Sequence, residues 1–295
     1  MELHQLRYVL AVADTGNFTR AAAKSNITQP SLSQQIINLE REVGHKLFHR
    51  LGRKAVLTEA GSTFIERARR ILFEVDNATK ELSDSPALGR RITVGAIPTV
   101  APYLLPPLLA QCRERHPNLE VHVREDFRSH LVRAVVDGDL DFAIGALPMK
   151  DARISIEPLL TEPLLLVVGK QHPLASSPRV TVPDLEGETF VMLGTSSSLA
   201  AQVQNFCGDH HFEPRIGYRC AQVTTVKAFV AQGLGISILP RVAQSPDDAG
   251  SLVYIELASG TPTRELAVIR HLQRYQSRGA EQFLALLREM AAKMA

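Results

Sequence analysis

Residues 18–34 have the sequence FTRAAAKSNITQPSLSQ, which predicts a short helix, a tight turn and the start of a second helix. The small side chains of Ala21 and Ala22 allow another helix to approach the first one closely. Thr28 is suited to cap the second helix, and Pro30 is tolerated in its first turn because the N–H there has no partner within the helix. The opening QPSLSQ places uncharged amide and hydroxyl groups on one tip, and such groups can pair with base edges and phosphates.

Apolar residues on both sides of this stretch complete a bundle of three helices. Their spacing predicts an amphipathic first helix over residues 3–14, ended by Gly16. The same spacing defines the buried face of the third helix, which Gly44 closes. The apolar positions are Leu3, Leu6, Leu10 and Ala13 in the first helix and Leu32, Ile36, Leu39 and Val43 in the third. Three short helices joined by this turn form a helix-turn-helix.

Residues 48–57 follow as two short extended runs around a basic glycine turn, which is typical of a wing. Basic residues there would lie near phosphates or the minor groove. The alternative is a solvated polar face on an ordinary helical bundle. The ordered combination of bundle, polar tip and basic wing favours DNA. The residues expected to contact DNA are Thr28, Gln29, Pro30, Ser31, Ser33, Gln34 and Asn38 on the third helix and Arg50, Arg53 and Lys54 on the wing.

Composition and charge fit a DNA-binding module joined to a larger body. A length of 295 residues favours two or three domains. Residues 1–57 contain eight Lys and Arg against four Asp and Glu, a net charge of +4, so the remaining residues sum to −2 within the total of +2. The three cysteines are odd in number and widely spaced, which argues against a disulfide framework and for a reducing, cytoplasmic location.

No leader and no membrane span are expected. The N-terminal apolar run contains Arg7 and lacks a cleavage site of small residues. Residues 92–112 carry no charge, but Gly95 and four prolines would interrupt a spanning helix. A buried strand followed by a turn and a helix fits this segment better.

Residues 59–89 are predicted to form a linker helix and a hinge. Apolar positions continue from Thr58 to about Ser83, a helix of ~25 residues and roughly 37 Å. These positions are Phe64, Ile65, Ala68, Ile71, Leu72, Val75, Ala78 and Leu82. Such a stripe packs either on a second copy of this chain or on the rest of its own chain, and we expect a homodimer through this helix. The composition of residues 83–89 is typical of a hinge.

From residue 90 onward, strand and helix patterns alternate, which predicts an α/β fold with a mostly parallel sheet. One set of strands lies in residues 90–162 and 266–295, and a second set lies in residues 163–265. The chain would cross twice between two lobes and leave a cleft between them, as in periplasmic binding proteins. Residues 1–58 are then the DNA-binding domain, and residues 90–295 bind an effector.

Loops at the carboxyl ends of the strands should line this cleft. Two of them open helices, whose free N–H groups and hydroxyls favour an anion. Arg128 adds a positive fork suited to a carboxylate or phosphate, unless it forms a surface ion pair with Glu125 or Asp126. The expected effector-binding residues are Pro98, Thr99, Val100, Phe127, Arg128, Ser129, Gly145, Ala146, Thr195, Ser196, Ser197, Ser198 and Gln222. The effector is therefore expected to be a small anion.

The first ~60 residues resemble the winged helix-turn-helix of LysR-type transcriptional regulators. The matching residues are Phe18, Ala21, Ala22, Gln29, Pro30, Ser31, Ser33, Leu39, Glu40, Gly44, Leu47, Phe48, Arg50, Leu57, Thr58 and Gly61. The resemblance extends more loosely through the rest of the chain. It implies a DNA-binding domain, a long linker helix and a two-lobed effector domain, assembled as a homotetramer that binds double-stranded promoter DNA.

Within that family, the effector domain is most similar to the hydrogen-peroxide-sensing branch. Residues 97–100 with 102–106, and residues 192–193 with Leu199 and 206–207, carry this likeness. The peroxide-reactive cysteine of the branch falls on Ser198, and a serine hydroxyl is not oxidised to a sulfenic acid. Arg128 also replaces a small hydroxyl residue of the branch. A redox response through Cys207 and Cys220 stays open as an alternative.

Two other patterns have simpler explanations. Cys207, His210 and His211 have a spacing that could gather a metal on a helical face, but histidines at a helix end more often face solvent. Residues 233–236 resemble the start of a nucleotide-binding fingerprint, yet the third glycine is missing and a tight turn explains them. We therefore expect no metal, no cofactor and no enzyme activity. The alternatives are an α/β enzyme with a fused DNA-binding domain and an architectural DNA protein.

Overall fold

The computed structural model describes residues 1–52, 54–83, 90–258 and 260–294. The chain divides into two compact units, Met1–Ser85 and Pro86–Ala295. Arg53 of the expected wing and residues 84–89 of the expected hinge lie outside the described residues.

The first unit is a winged helix-turn-helix followed by a long helix, as the sequence predicts. Its elements are α1 (Leu3–Thr15), α2 (Phe18–Lys24), α3 (Gln29–Val43), the hairpin strands β1 (Phe48–Leu51) and β2 (Lys54–Leu57), and α4 (Glu59–Ser83). Strands β1 and β2 pair antiparallel. Thr28 caps α3 by accepting the amide of Ser31, and Gly44 ends it in the left-handed conformation with φ 75°.

The core of this unit follows the expected helical faces. Leu32, Ile36 and Leu39 of α3 are fully buried. They pack with apolar residues of α1, α2 and β1. Helix α4 approaches this core very closely at Gly61, where a Cβ would lie 2.0 Å from the carbonyl oxygen of Leu47. A glycine is therefore needed at this position for the helix to pack on the start of the wing.

The second unit contains β3 to β11 and α5 to α9. Its strands are β3 (Arg90–Ala96), β4 (Leu119–Glu125), β5 (Phe142–Ala146), β6 (Ile154–Gly169), β7 (Thr189–Leu193), β8 (Arg215–Cys220), β9 (Ser237–Pro240), β10 (Leu252–Ile255) and β11 (Thr263–His271). Its helices are α5 (Ala101–Arg115), α6 (Arg128–Val136), α7 (Ser198–Asp209), α8 (Val223–Ala231) and α9 (Arg278–Met294).

The pairing of these strands is mixed, so the prediction of a mostly parallel sheet is wrong. Strand β3 pairs parallel with β4 and β5, and β7 pairs parallel with β8. The long strand β6 pairs antiparallel with β9, β10 and β11, and β11 is also antiparallel to β5. Parallel pairs arise where a helix connects consecutive strands. Strands β6 and β11 instead carry the chain out of one lobe and back, so they run in opposite directions.

Two separate apolar cores define the two lobes. One core gathers buried residues between Ile92 and Leu160 with others between Leu266 and Ala291. The other gathers buried residues between Leu164 and Leu257. Strand β6 contributes to both cores. Among the described residues, no helix is long and apolar enough to span a membrane.

Candidate functional sites

The first candidate site is the outer face of α3. Thr28, Gln29, Pro30, Ser31 and Gln34 are exposed, and Asn38 is half-buried. The amide of Gln34 donates to the side-chain oxygen of Asn38 over 3.0 Å. This pair lies one helical turn apart, so the two amides form one polar surface. The arrangement offers both donors and acceptors at the start of α3.

Ser33 does not belong to this exposed face. Its side chain is only 9% exposed, and its hydroxyl accepts a hydrogen bond from the Gln29 amide over 2.8 Å. The expected position opposite Leu32 and Ile36 is wrong, because Ser33 follows Leu32 by a single residue and turns toward the bundle. Ser33 therefore orients Gln29 from below.

The second candidate surface is the wing. Arg50 and Lys54 are exposed on β1 and β2. The guanidinium carbon of Arg50 lies 4.8 Å from the ring centre of Phe18, a cation–π arrangement. The Phe18 ring in turn meets Phe48 edge-on at 5.9 Å. The wing is thus joined to α2 through stacked side chains, and its basic groups stay accessible.

One buried carboxylate near the wing was missed at the sequence level. Glu40 is 4% exposed and accepts hydrogen bonds from the backbone amides of Leu47 and Phe48. It lies on α3 between apolar positions, so periodicity alone gives it no role. A charged residue inside an otherwise apolar helical face is the signal that could have identified it.

The third candidate site is a cleft of about 330 Å³, open mouth included, in the second unit. Four helices begin at its wall: α5 and α6 from one lobe, and α7 and α8 from the other. The lining residues are Ile97, Pro98, Thr99, Phe127, Arg128, Leu193, Ser196, Ser197, Ser198, Ala221 and Val223. Free N–H groups at helix starts favour negative charge. The two lobes therefore contribute matching partial positive charge to one small space.

Seven expected effector residues line the cleft, and six do not. The lining ones are Pro98, Thr99, Phe127, Arg128, Ser196, Ser197 and Ser198. Among the residues that the structure describes, the lining leaves out Val100, Ser129, Gly145, Ala146, Thr195 and Gln222. Val100 and Ala146 are fully buried in the core of their own lobe. Ser129, Thr195 and Gln222 are exposed beside the lining.

Gly145 lies near Ile269 and Met149 instead of the cleft. The residues missed at the sequence level are mainly apolar: Leu193, Ala221 and Val223, together with Ile97. Each of them is at most two residues from a predicted position. Their loops were therefore identified, but the side chain that faces the cleft depends on the local turn.

Arg128 points across the loop that follows β5. Its guanidinium donates to the carbonyl oxygen of Pro148 over 2.9 Å. The alternative of an ion pair with the neighbouring carboxylates is wrong for Asp126, which binds Arg124 and His130. Burial works against ionisation of Asp126, but those hydrogen bonds outweigh it and lower its pKa. Arg128 is thus held at the cleft by a neutral carbonyl.

Behind the cleft wall lies a buried ionic group that the sequence analysis also missed. The fully buried Arg264 of β11 donates to the Thr99 hydroxyl over 2.8 Å and to the Glu162 carboxylate over 2.9 Å. Glu162 lies opposite Arg264 on β6 and also accepts the amide of Val242 over 2.9 Å. Burial lowers the pKa of Arg264, and the nearby Glu162 charge opposes that shift. This group ties the cleft wall to both crossing strands.

The cysteines are buried thiols. Cys207 is fully buried in the second core, and burial raises its pKa to about 11. Burial also raises the pKa of Cys220, at the end of β8. His210 donates to, or accepts from, its own helix through the Phe206 carbonyl contact at 2.9 Å. Within the described part of the chain, no three metal-binding side chains converge.

The glycine pair after α8 forms a tight turn, as expected. Gly235 has a φ of 152°, and a Cβ there would lie 2.2 Å from the carbonyl oxygen of Thr189. The amide of Ile236 then donates to that same carbonyl over 2.8 Å. The turn serves strand packing, and the segment leads directly into β9.

Comparison with known proteins agrees with both sites. Residues 3–62 match the bacterial regulatory helix-turn-helix model of the lysR family. Residues 87–292 match the LysR substrate binding domain. The chain belongs to the LysR family of transcriptional regulators.

Several individual relatives span nearly the whole chain. The uncharacterized HTH-type transcriptional regulator YcgK of Bacillus subtilis is 32% identical, over 98% of this chain and 94% of its own length. The transcriptional dual regulator OxyR of Escherichia coli K12 is 34% identical, over 91% and 89%. A full-length OxyR variant from Pseudomonas aeruginosa superposes with a TM-score of 0.75 at 26% identity, over 99% and 94%.

Proposed function

We propose that this regulator controls transcription by binding a small anionic effector between its two lobes. The convergence of four helix N-termini and Arg128 on one cleft carries this proposal. The hydroxyls of residues 196–198 add donors on one side. Because the Thr99 oxygen accepts from Arg264, its own proton is directed elsewhere and is available to an effector oxygen. The space favours a negatively charged head with a small apolar body.

The same proposal covers the DNA side. The outer face of α3 occupies a major groove, where Gln29, Gln34 and Asn38 meet base edges. Arg50 and Lys54 of the wing neutralise nearby phosphates, together with Arg53. Effector binding changes the relative stability of open and closed lobes and so shifts the population of DNA-binding arrangements.

Assembly is part of this mechanism. Ile71 and Leu82 on α4 are 39% and 88% exposed in the single chain, and Ala78 is also exposed. An exposed apolar row on a helix of 25 residues favours a second copy as its partner. We propose a homodimer through α4, a homotetramer overall, and a cytoplasmic location beside the DNA. We also place the domain boundaries at residues 58, 89 and 162–163 with a return at 266.

A thiol switch and an enzyme are the less favoured functions. Ser198 lines the cleft where the resemblance places a reactive cysteine, and the buried Cys207 has a raised pKa. Thiolate is the reactive form, so both observations disfavour peroxide sensing through these positions. The cleft has no nucleophile–base pair among its lining residues, which disfavours catalysis.

A binding panel tests the effector class. Full-length protein is heated with small carboxylic acids and, in parallel, with the uncharged amides of the same acids. We expect at least one acid to raise Tm, with no shift from its amide, and to change the length of the protected DNA region in a footprint. Equal shifts from acid and amide, or none from any acid, would contradict an anionic effector.

A further inference from the structure

The contacts of Glu40 point to a role in DNA binding that its position inside the bundle does not suggest. Its side chain is 3% exposed and lies on the inner side of α3. One carboxylate oxygen accepts the amides of Leu47 over 2.8 Å and Phe48 over 3.3 Å. The other accepts the Lys46 ammonium over 3.3 Å. All three donors belong to the chain that enters β1, which we term the wing root, residues 46–48.

The opposite side of the wing root is fixed by the start of α4. The Thr58 hydroxyl donates to the carbonyl of Lys46 over 2.6 Å, and the Thr58 amide donates to the carbonyl of Leu47 over 3.0 Å. Gly61 allows α4 to touch Leu47 from the same side. The carbonyls of the wing root are therefore held by α4, and its amides are held by Glu40 of α3.

We propose that Glu40 is a positioning residue for DNA binding: it fixes the wing at one angle to the recognition helix α3. Through this fixed root, Arg50 and Lys54 reach phosphates while the outer face of α3 occupies the groove. The proposal rests on the wing contacts in the proposed function. A carboxylate is suited to this task because one oxygen can accept two buried amides, and hydrogen bonds to a charged acceptor are the strong ones.

The distance from α3 to the basic groups explains why the root matters. Two strand residues separate Phe48 from Arg50, so a rotation at the root displaces the guanidinium by several ångströms at ~3.3 Å per residue. Phe48 also carries the edge contact to Phe18, over which Arg50 lies. Loosening the two amides therefore disturbs the stack that holds Arg50.

The slope of log K against log salt concentration, measured on a non-specific 30-base-pair duplex, tests the proposal. This slope counts phosphate contacts at about 0.9 per contact. In the full-length chain, Arg50→Ala/Lys54→Ala first tests the wing contacts themselves and should lower the slope by about 1.8 per chain. An unchanged slope in that double variant contradicts the proposed wing contacts, whatever Glu40 does.

The Glu40 variants then separate position from charge. Glu40→Gln keeps the length and an oxygen for both amides, so its slope should equal that of the unaltered protein. Glu40→Asp keeps the charge but withdraws the oxygens from the amides, so its slope should fall toward that of Arg50→Ala/Lys54→Ala. The exposed Lys46 contact, lost in the Gln variant, contributes little. A slope reduced by Gln and retained by Asp would overturn the positioning role.

A cycle closes the test. Adding Glu40→Asp to Arg50→Ala/Lys54→Ala should leave the slope unchanged, because the groups that Glu40 positions are already gone. A further fall in that triple variant would place the effect of Glu40 elsewhere. A lower Tm without any change of slope in Glu40→Asp would show a purely structural carboxylate and would also overturn the proposal.

Discussion

Two arginines show how differently the two units of this regulator use the same side chain. Arg50 lies exposed on the wing, with its guanidinium over the ring of Phe18. Arg264 is fully buried behind the cleft wall, and its nitrogens are bonded to Glu162 and Thr99. The exposed charge is accessible to a partner molecule, whereas the buried charge holds two strands and a loop together. Function and stability are thus assigned to different environments of one chemical group.

The largest expected effect follows from breaking the buried pair. Arg264→Met should lower the free energy of unfolding by about 3–5 kcal/mol, because Glu162 is then buried without its cation. Arg50→Met should change it by less than about 1 kcal/mol, since Arg50 is exposed. Urea denaturation measures both.

The double variant Arg264→Met/Glu162→Met is the control for this pair. It removes both charges and should recover most of the lost stability. An Arg264→Met variant as stable as the unaltered protein would remove the contrast between the two arginines.

The exposed surface should govern sequence preference. Gln29→Ala should weaken binding to a duplex selected from a random pool by about 1–3 kcal/mol, because a side chain at a base edge is lost. The salt slope should stay the same, since no phosphate contact changes. Fluorescence anisotropy on selected and scrambled duplexes measures this, with the exposed Gln232→Ala as the matched control. Equal losses on both duplexes would argue against base contact by Gln29.

The cleft should depend on Arg128 in a similar way. Arg128→Ala should lower the affinity for any acid found in the panel by about tenfold or more, as expected for a charge-assisted hydrogen bond. Arg124→Ala is the matched control, because Arg124 binds Asp126 on the neighbouring strand and does not line the cleft. Isothermal titration gives both affinities. If the control variant loses as much affinity as Arg128→Ala, the charge acts at long range and not in the cleft.

The smallest effect is expected at the buried thiol. A pKa of about 11 places Cys207 four units above pH 7, so roughly one thiol in 10⁴ is ionised there. Because the raised pKa keeps the proton on sulfur, labelling by iodoacetamide should be negligible at pH 7 and increase only toward pH 11. Mass spectrometry of folded and urea-unfolded chains measures it. Rapid labelling of Cys207 in the folded chain at pH 7 would revive the redox alternative.

Much of the first unit could be predicted from sequence because its signals are local. Leu32, Ile36 and Leu39 follow one helical period, and Thr28, Gly16 and Gly44 mark helix ends within a few residues. The position of Ser33 shows the limit of this reasoning. The boundary between the buried and exposed faces of α3 depends on how closely its neighbours approach, and periodicity does not give that distance.

The cleft was predicted by its loops and less well by its side chains. Helix starts after strands identify Thr99, Arg128 and Ser198. Leu193 and Val223 were missed because an apolar residue at a strand or helix end has the same pattern whether it faces a core or a cavity. The parallel arrangement was overestimated for a related reason, since strand direction depends on the whole path of the chain.

The sequence by itself determined the helix-turn-helix, the long helix and the alternating α/β body, because periodicity, caps and glycines act over a few residues. Only the tertiary structure decided that Arg264 meets Glu162 and Thr99, which lie 102 and 165 residues away. Only it decided that Glu40 holds the wing root. Contacts at such separation depend on how the strands and helices come together, and that assembly places buried charges where their partners satisfy them.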